Sequence, residues 1–292
     1  MPSQKILPDL IDWYRENARD IVWRRPGVSP WGILLSEVMS QQTQVSRVEP
    51  AWEAWLERWP TPADFAAATP AEVLRAWGRL GYPRRALRLL ECARAIVERH
   101  GGEVPSDVDA LLQLPGIGEY TARAIAAFAY RQRVPVVDTN VRRVVSRAIH
   151  GEFTPGNPKK RDLSDVEKLL PRRDAHVFSV ALMELGALVC TSRSPKCDEC
   201  PIICAWVESG RPEPAPTKKR TQRFAGTDRQ VRGIIMAKLR EAEGPVPQAD
   251  IDVLWPDDAQ RSRALFSLLD DGLAEQTEGD LFQLPTSSGP GS

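Results

Sequence analysis

The chain has 292 residues, and its 39 Lys and Arg are matched by 39 Asp and Glu, so the formal net charge is zero. With 42% hydrophobic and 27% charged residues, the composition is that of an ordinary globular protein and excludes fibrous, disordered and disulfide-rich classes. No stretch approaches the roughly 20 apolar residues that span a bilayer, and the opening MPSQKILPDLIDWYRENARD lacks the apolar centre of a signal peptide, which predicts a cytoplasmic protein.

Most of residues 5–208 reads as helices joined by short loops. Apolar residues recur at helical spacing in Leu7–Tyr14, Trp31–Met39, Ala71–Trp77 and Leu87–Val97, then in Ala122–Tyr130 and Val177–Leu188. Thr61-Pro62-Ala63-Asp64 and Thr69-Pro70-Ala71-Glu72 place a capping hydroxyl, a proline and an acid where a helix begins. The β-rich run Val134–Val137 is short and holds Pro135, which predicts an extended connector rather than a strand.

Between the segments Val108–Gln113 and Glu119–Tyr130 lies Leu114-Pro115-Gly116-Ile117-Gly118. Two glycines there allow backbone angles closed to other residues, and the next helix opens with free N–H groups and the positive end of its dipole. Such a helix-hairpin-helix grips a phosphate backbone without reading sequence. The alternative is a plain helix–helix turn.

Residues 209–222 (SGRPEPAPTKKRTQ) are rich in proline and charge and lack periodicity, the pattern of a linker. Beyond it, helices are expected over Asp228–Glu241, Gln248–Leu254 and Asp258–Asp270, then two short strands in Leu273–Leu284 around Glu278-Gly279-Asp280. That order suggests a small winged-helix-like domain, with PTSSGPGS as a disordered tail. Charge is uneven: residues 1–220 hold 32 basic and 27 acidic residues, a balance of +5, and residues 221–292 hold 7 and 12, a balance of −5. A mildly basic body is compatible with DNA binding.

Cys190, Cys197, Cys200 and Cys204 follow one another in LVCTSRSPKCDECPIICAW. Four thiolates on so short a stretch suit one soft metal centre, zinc, copper(I) or an iron–sulfur cluster, in a reducing compartment. The fifth cysteine, Cys92, falls in the apolar pattern LRLLECARAIV and reads as core.

Three segments accompany the hairpin in order: SEVMSQQTQV at 36–45, VVDTNVRR at 136–143 and MELGALVC at 183–190. Together they resemble the adenine DNA glycosylases of the MutY type, within the endonuclease III superfamily. The resemblance runs from about residue 7 to residue 205; the last 69 residues, from FAGTDRQVRG onward, resemble only the short C-terminal domain of actinobacterial members. It implies a mainly α, two-module helix-hairpin-helix glycosylase fold with an iron–sulfur cluster loop. One module would span 25–132, the other 1–24 plus 133–208. A linker at 209–223, the winged-helix-like domain at 224–285 and a tail at 286–292 complete the expected organisation.

The resemblance also implies roles. Glu37 would protonate adenine at N7, and Asp138 would stay ionised beside the sugar C1′. Asn140 and Tyr120 would hydrogen-bond around that centre. Trp23 and Arg24 would line the adenine pocket; Gln42 and Tyr82 would wedge into the duplex while Thr43 touches the opposite base; Gly116 and Gly118 would hold the backbone. The four cysteines would carry a [4Fe–4S] cluster, zinc being the alternative, in a loop where Arg193 and Lys196, with Arg172 and Arg173, would meet phosphates. Bifunctional relatives carry a lysine at the position of Tyr120; a tyrosine forms no imine, so base excision without strand cleavage is expected. The implied partner is double-stranded DNA with adenine opposite 8-oxoguanine or guanine, met by a monomer. Departures from the family are visible: three residues between the last two cysteines where most members have five, Val180 in place of a Gln or Glu, Pro83 in place of an aromatic, Ser40 in place of a Leu, and no Nudix-like domain. Rival readings are an endonuclease III-like glycosylase/lyase for oxidised pyrimidines and a non-catalytic DNA clamp.

Overall fold

The computed structural model describes residues 3–212 and 224–287. Most of the expected linker, 213–223, and of the expected tail, 288–292, lies outside the described residues. Thr286 is held by Glu275, which its N–H and hydroxyl both bond (3.2 and 3.0 Å).

The chain forms two compact units. The first comprises Met1–Glu37, Pro105–Gln113 and Ile117–Thr217; the second comprises Val38–Val104, Leu114–Gly116 and Lys218–Ser292. The expected module of 25–132 is thus divided between them.

In the first unit, helices α1 (Ser3–Asn17), α9 (Thr139–His150), α10 (Lys160–Leu169) and α11 (Ala175–Leu188) surround one core. Leu10, Val141, Val144, Val166, Phe178, Leu182 and Leu185 fill it. Helix α8 (Glu119–Tyr130) presents Ala124 and Ala127 to Val136 of the extended connector; those small side chains let the connector lie close, and no strand forms over 134–137. Helices α2 (Pro30–Met39), α7 (Val108–Leu112) and α12 (Ala205–Glu208) complete the described helices of this part, α2 running on into the second unit.

In the second unit, α3 (Val45–Arg58), α4 (Pro62–Ala66), α5 (Pro70–Trp77) and α6 (Arg84–His100) pack around aromatic rings. Trp55 lies 5.1 Å from both Trp59 and Phe65 and 5.6 Å from Trp77, centroid to centroid, a spacing at which tilted and edge-on rings attract. Reciprocal capping boxes, Thr61 with Asp64 and Thr69 with Glu72, start α4 and α5 where the sequence places them. Helix α6 begins at Arg84, three residues ahead of its first periodic apolar position.

The C-terminal module holds α13 (Asp228–Glu241), α14 (Gln248–Asp252) and α15 (Asp258–Asp270) beside a three-stranded sheet. Strand β3 (Leu281–Gln283) runs between β1 (Val246–Pro247) and β2 (Glu275–Thr277), antiparallel to both. Two residues ending in proline give no readable period, so β1 is invisible in the sequence. The module is tied to the rest of its unit: Arg75 donates to the Ala242 carbonyl (3.2 Å), Arg240 to the Gly78 carbonyl, and Arg84 pairs with Asp271 (3.0 Å).

Candidate active site

Helix α2 is apolar almost throughout. Trp31 to Ser36 are buried, and Ser36 satisfies its hydroxyl on the Ile33 carbonyl (2.8 Å). Glu37 is the acidic residue in that helix. The residue keeps some exposure, but its carboxyl end lies among Tyr120, Asp138 and Arg24. Loss of water raises its pKa to about 7, against a hydrogen bond from Tyr120 and the Arg24 charge that favour ionisation; the nearby Asp138 charge adds to the rise. Burial and the two carboxylates hold the Tyr120 phenol well above its ordinary value, so it stays protonated and serves as a hydrogen-bond donor.

Asp138 caps α9, its Oδ1 accepting from the Val141 N–H (2.6 Å) and its Oδ2 from Asn140 Nδ2 (2.9 Å). Burial raises its pKa; those donors and the Arg143 guanidinium act the other way and favour the carboxylate. Arg143 reaches Asn140 Oδ1 (2.8 Å), the Gly186 carbonyl (2.6 Å) and the Cys190 carbonyl (2.7 Å). A continuous hydrogen-bonded path therefore joins Asp138 to the first of the four cysteines. Gly186 permits the close approach of α11 to α9: a Cβ there would stand 2.6 Å from the Asn140 Cβ.

Arg24 lies on the 3-10 turn Val22–Arg24 with Trp23. It donates to Glu184 (2.9 Å), which Arg19 also grips through two nitrogens (2.6 and 2.9 Å). Glu184 is fully buried, yet the two arginines overcome desolvation and bring its pKa to about 2. Its carboxylate thus fixes Arg24 beside Glu37. Glu184 lies in the MELGALVC motif, and nothing in its spacing announces the two arginine partners.

Of the remaining candidates, Gln42, Thr43, Tyr82 and Gly116 belong to the second unit and Gly118 to the first. Gln42 and Tyr82 both occupy the left-handed region, at φ 55° and 49°, a costly conformation for a side-chain-bearing residue that clusters at functional loops. Both are exposed, so Tyr82 is no core aromatic. Arg85, absent from the sequence-based candidates, clasps this region. It donates to the Val38, Met39 and Gly81 carbonyls (2.7, 3.2 and 3.0 Å) and to the Thr43 hydroxyl (3.2 Å), and lies 5.0 Å over Trp77. Gly116 has φ 76°, and a Cβ on it would meet Arg88 at 3.1 Å, so this hairpin position requires glycine. Gly118 corrects the expectation of two special conformations: it is extended at φ −98°, and it starts α8 with no side-chain cap.

Among the predicted residues, then, Glu37, Tyr120, Asp138, Asn140 and Arg24 are brought together in one unit. Thr43 and Tyr82 share the Arg85 clasp in the other.

All four clustered cysteines are free thiols and line one cavity of about 250 Å³ with Arg147, Val189, Ile202 and Trp206. Cys204 takes its place on that wall despite the shortened gap before it. Arg147, buried, donates to the Cys190 sulfur (3.3 Å) and to the Thr191 carbonyl (2.7 Å). Four thiols lining one cavity fit a soft metal centre held by thiolates.

Comparison with known proteins shows the family. Residues 35–170 match the HhH-GPD superfamily of base excision DNA repair proteins, and residues 190–203 match the iron–sulfur binding domain of endonuclease III. A thermostable thymine-DNA glycosylase has a similar structure, with TM-score 0.65 at 27% identity over 69% of this chain and 94% of its own. Two curated relatives are adenine DNA glycosylases. That of Mycolicibacterium smegmatis is 59% identical over 279 residues, 94% of each chain. That of Mycobacterium tuberculosis is 57% identical over 281 residues, 95% of this chain and 92% of its own. Fold and motif define the class as helix-hairpin-helix base excision repair proteins. Within that class, the chain belongs to the adenine DNA glycosylases. Its activity is hydrolysis of the N-glycosyl bond of adenine in DNA, and its cofactor is a [4Fe–4S] cluster.

Proposed function

We propose that the chain excises adenine mispaired with 8-oxoguanine or guanine, without cutting the strand, and that Glu37 and Asp138 divide the chemistry. The grouping of Glu37, Tyr120 and Asp138, with the Glu37 carboxyl held at about pKa 7 by burial, carries this reading. An acid poised near neutrality is protonated often enough to donate and releases its proton readily.

The target adenine must leave the stack to reach such a group. Glu37 gives its proton to adenine N7. The C1′–N9 bond then breaks, its electron pair leaving with the base. Positive charge develops on the sugar, where the Asp138 carboxylate stabilises it; Asn140 and the Val141 N–H hold that carboxylate in place. Water adds to C1′, and its proton returns to Glu37. Tyr120 orients Glu37 as a neutral donor. With no amine at that position, no imine forms on the sugar. Arg24 and Trp23 line the adenine pocket, and Glu184 keeps Arg24 in position. Gln42, Thr43 and Tyr82 read the opposite base, while Gly116 and Gly118 hold the strand.

Cys190, Cys197, Cys200 and Cys204 would hold the cluster, whose contribution when bound is to order the loop carrying Arg193 and Lys196. No helix among the described residues is long and apolar enough to cross a membrane, and we place the enzyme in the cytoplasm as a monomer.

Single-turnover assays on duplexes with adenine opposite 8-oxoguanine, adenine opposite guanine, and thymine glycol test the reading. Free adenine from the first two, with strands intact until alkali is added, is expected. Release of thymine glycol with spontaneous nicking would contradict it.

A further inference from the structure

The C-terminal module begins beside Tyr82. The Arg229 guanidinium, from the first turn of α13, lies 5.9 Å from the Tyr82 ring centroid, and that of Arg85 lies 5.8 Å from the same ring. Arg229 is solvent-exposed. Among the described residues it joins none of the ion pairs around it. Asp271 is taken by Arg84 (3.0 Å) and Arg232 (2.5 Å). Asp228, next in sequence, turns to Gln260 (2.9 Å) and Arg263 (3.8 Å).

The placement is built rather than incidental. Arg75, Arg240 and the Arg84–Asp271 pair fasten the module to the α5–α6 region at three points. The Arg240 guanidinium is partly buried there, which lowers its pKa, as does neighbouring Arg79. The module as a whole is acidic, at −5 over residues 221–292. Two of its arginines face the α5–α6 region: Arg229 lies beside Tyr82 and Arg240 bonds the Gly78 carbonyl, while Arg232 pairs with Asp271 inside the module and Arg261 and Arg263 lie on α15. An exposed guanidinium outside the module's ion pairs, next to an exposed aromatic in a strained backbone conformation, suits an anionic partner at that spot.

We propose that the DNA interface extends onto the C-terminal module, with Arg229 contacting a backbone phosphate of the strand that Tyr82 enters. This rests on the reading of Tyr82 as a duplex wedge. A guanidinium beside a wedge suits the phosphates flanking the opened step, and the module's three fastenings would keep it there without help from DNA.

Arg229→Ala, an exposed change, tests the contact through binding isotherms at several salt concentrations. One set uses an undamaged duplex; a second uses an adenine:8-oxoguanine duplex with Glu37→Gln in both proteins to prevent turnover. Both duplexes should bind roughly fivefold more weakly at low salt, the slope of log affinity against log salt should fall by about 1, and Arg229→Lys should restore most of the loss. An unchanged affinity and slope would overturn the proposal. So would a loss confined to the 8-oxoguanine duplex with no change in slope, since a phosphate contact ignores base identity. Failure of the adenine reading would show separately, as no free adenine from the wild-type chain, and leaves the salt slope on undamaged DNA as an independent measure.

Discussion

Glu37 owes its chemistry to where one residue sits. An ordinary glutamate on a helix faces water; this one follows five apolar residues and a serine bonded to its own helix, and its carboxyl meets a phenol and a second carboxylate. Because folding raises its pKa from 4.5 to about 7, the native state holds a proton that the unfolded chain gives up. Stability contributed at this site is therefore full below pH 4.5, falls as pH rises towards 7 and is level above it. Glu37→Gln should abolish that slope and stabilise the protein at pH 8 relative to wild type, by at most about 3 kcal/mol. Denaturant titrations of both proteins at pH 5 and pH 8 check this; equal stability differences at the two pH values would contradict it. Gly186 makes a second case. Its missing Cβ leaves room for Asn140, so Gly186→Ala should displace Asn140 and with it the Asp138 carboxylate. We expect a loss of stability of about 1–3 kcal/mol and a larger fall in base release than in duplex affinity, measured by single-turnover kinetics beside a binding isotherm.

At the scale of elements, what the sequence shows well is what local rules control. The capping boxes at Thr61 and Thr69, and helices α13 and α15, stand where their residues put them, and Val134–Val137 is an extended connector because Pro135 denies it a ladder. Local rules fail where the partner is distant. Strand β1 exists only through its pairing with β3, some 35 residues on. Arg85 reads as one more charge at the start of a helix, yet its guanidinium finishes the last carbonyls of α2 and fastens Thr43 and Gly81. Helix ends leave such carbonyls unsatisfied, and a planar fork answers several of them at once. Arg85→Ala should cost about 2–4 kcal/mol, since it strands several partly buried acceptors, and should loosen the Tyr82 loop; Arg85→Lys should recover little of it. Thermal unfolding and duplex affinity measure the two effects, and a fully active Arg85→Lys would argue that only the charge matters.

For the whole molecule, the proposed catalytic residues are readable as a set because their motifs lie within one family pattern, while the network around them is not. Arg19, Arg143 and the Glu184–Gly186 segment come from three separate stretches, and only folding puts them around Glu37 and Asp138. The cysteines are legible as a metal centre from spacing alone, but the choice of cluster over zinc needs the iron–sulfur domain they match. Cys197→Ser should bleach the visible absorbance of the purified protein; a colourless wild type loaded with zinc would refute the cluster. The most direct test of the account as a whole is the rate at which saturating enzyme frees adenine from a duplex with adenine opposite 8-oxoguanine, followed from pH 5 to pH 9. It should fall about tenfold per pH unit above the Glu37 pKa of about 7, with Glu37→Gln bound to DNA but inert throughout. Substantial turnover by Glu37→Gln, or a wild-type rate that does not fall above pH 7, would contradict the assignment of Glu37 as the acid.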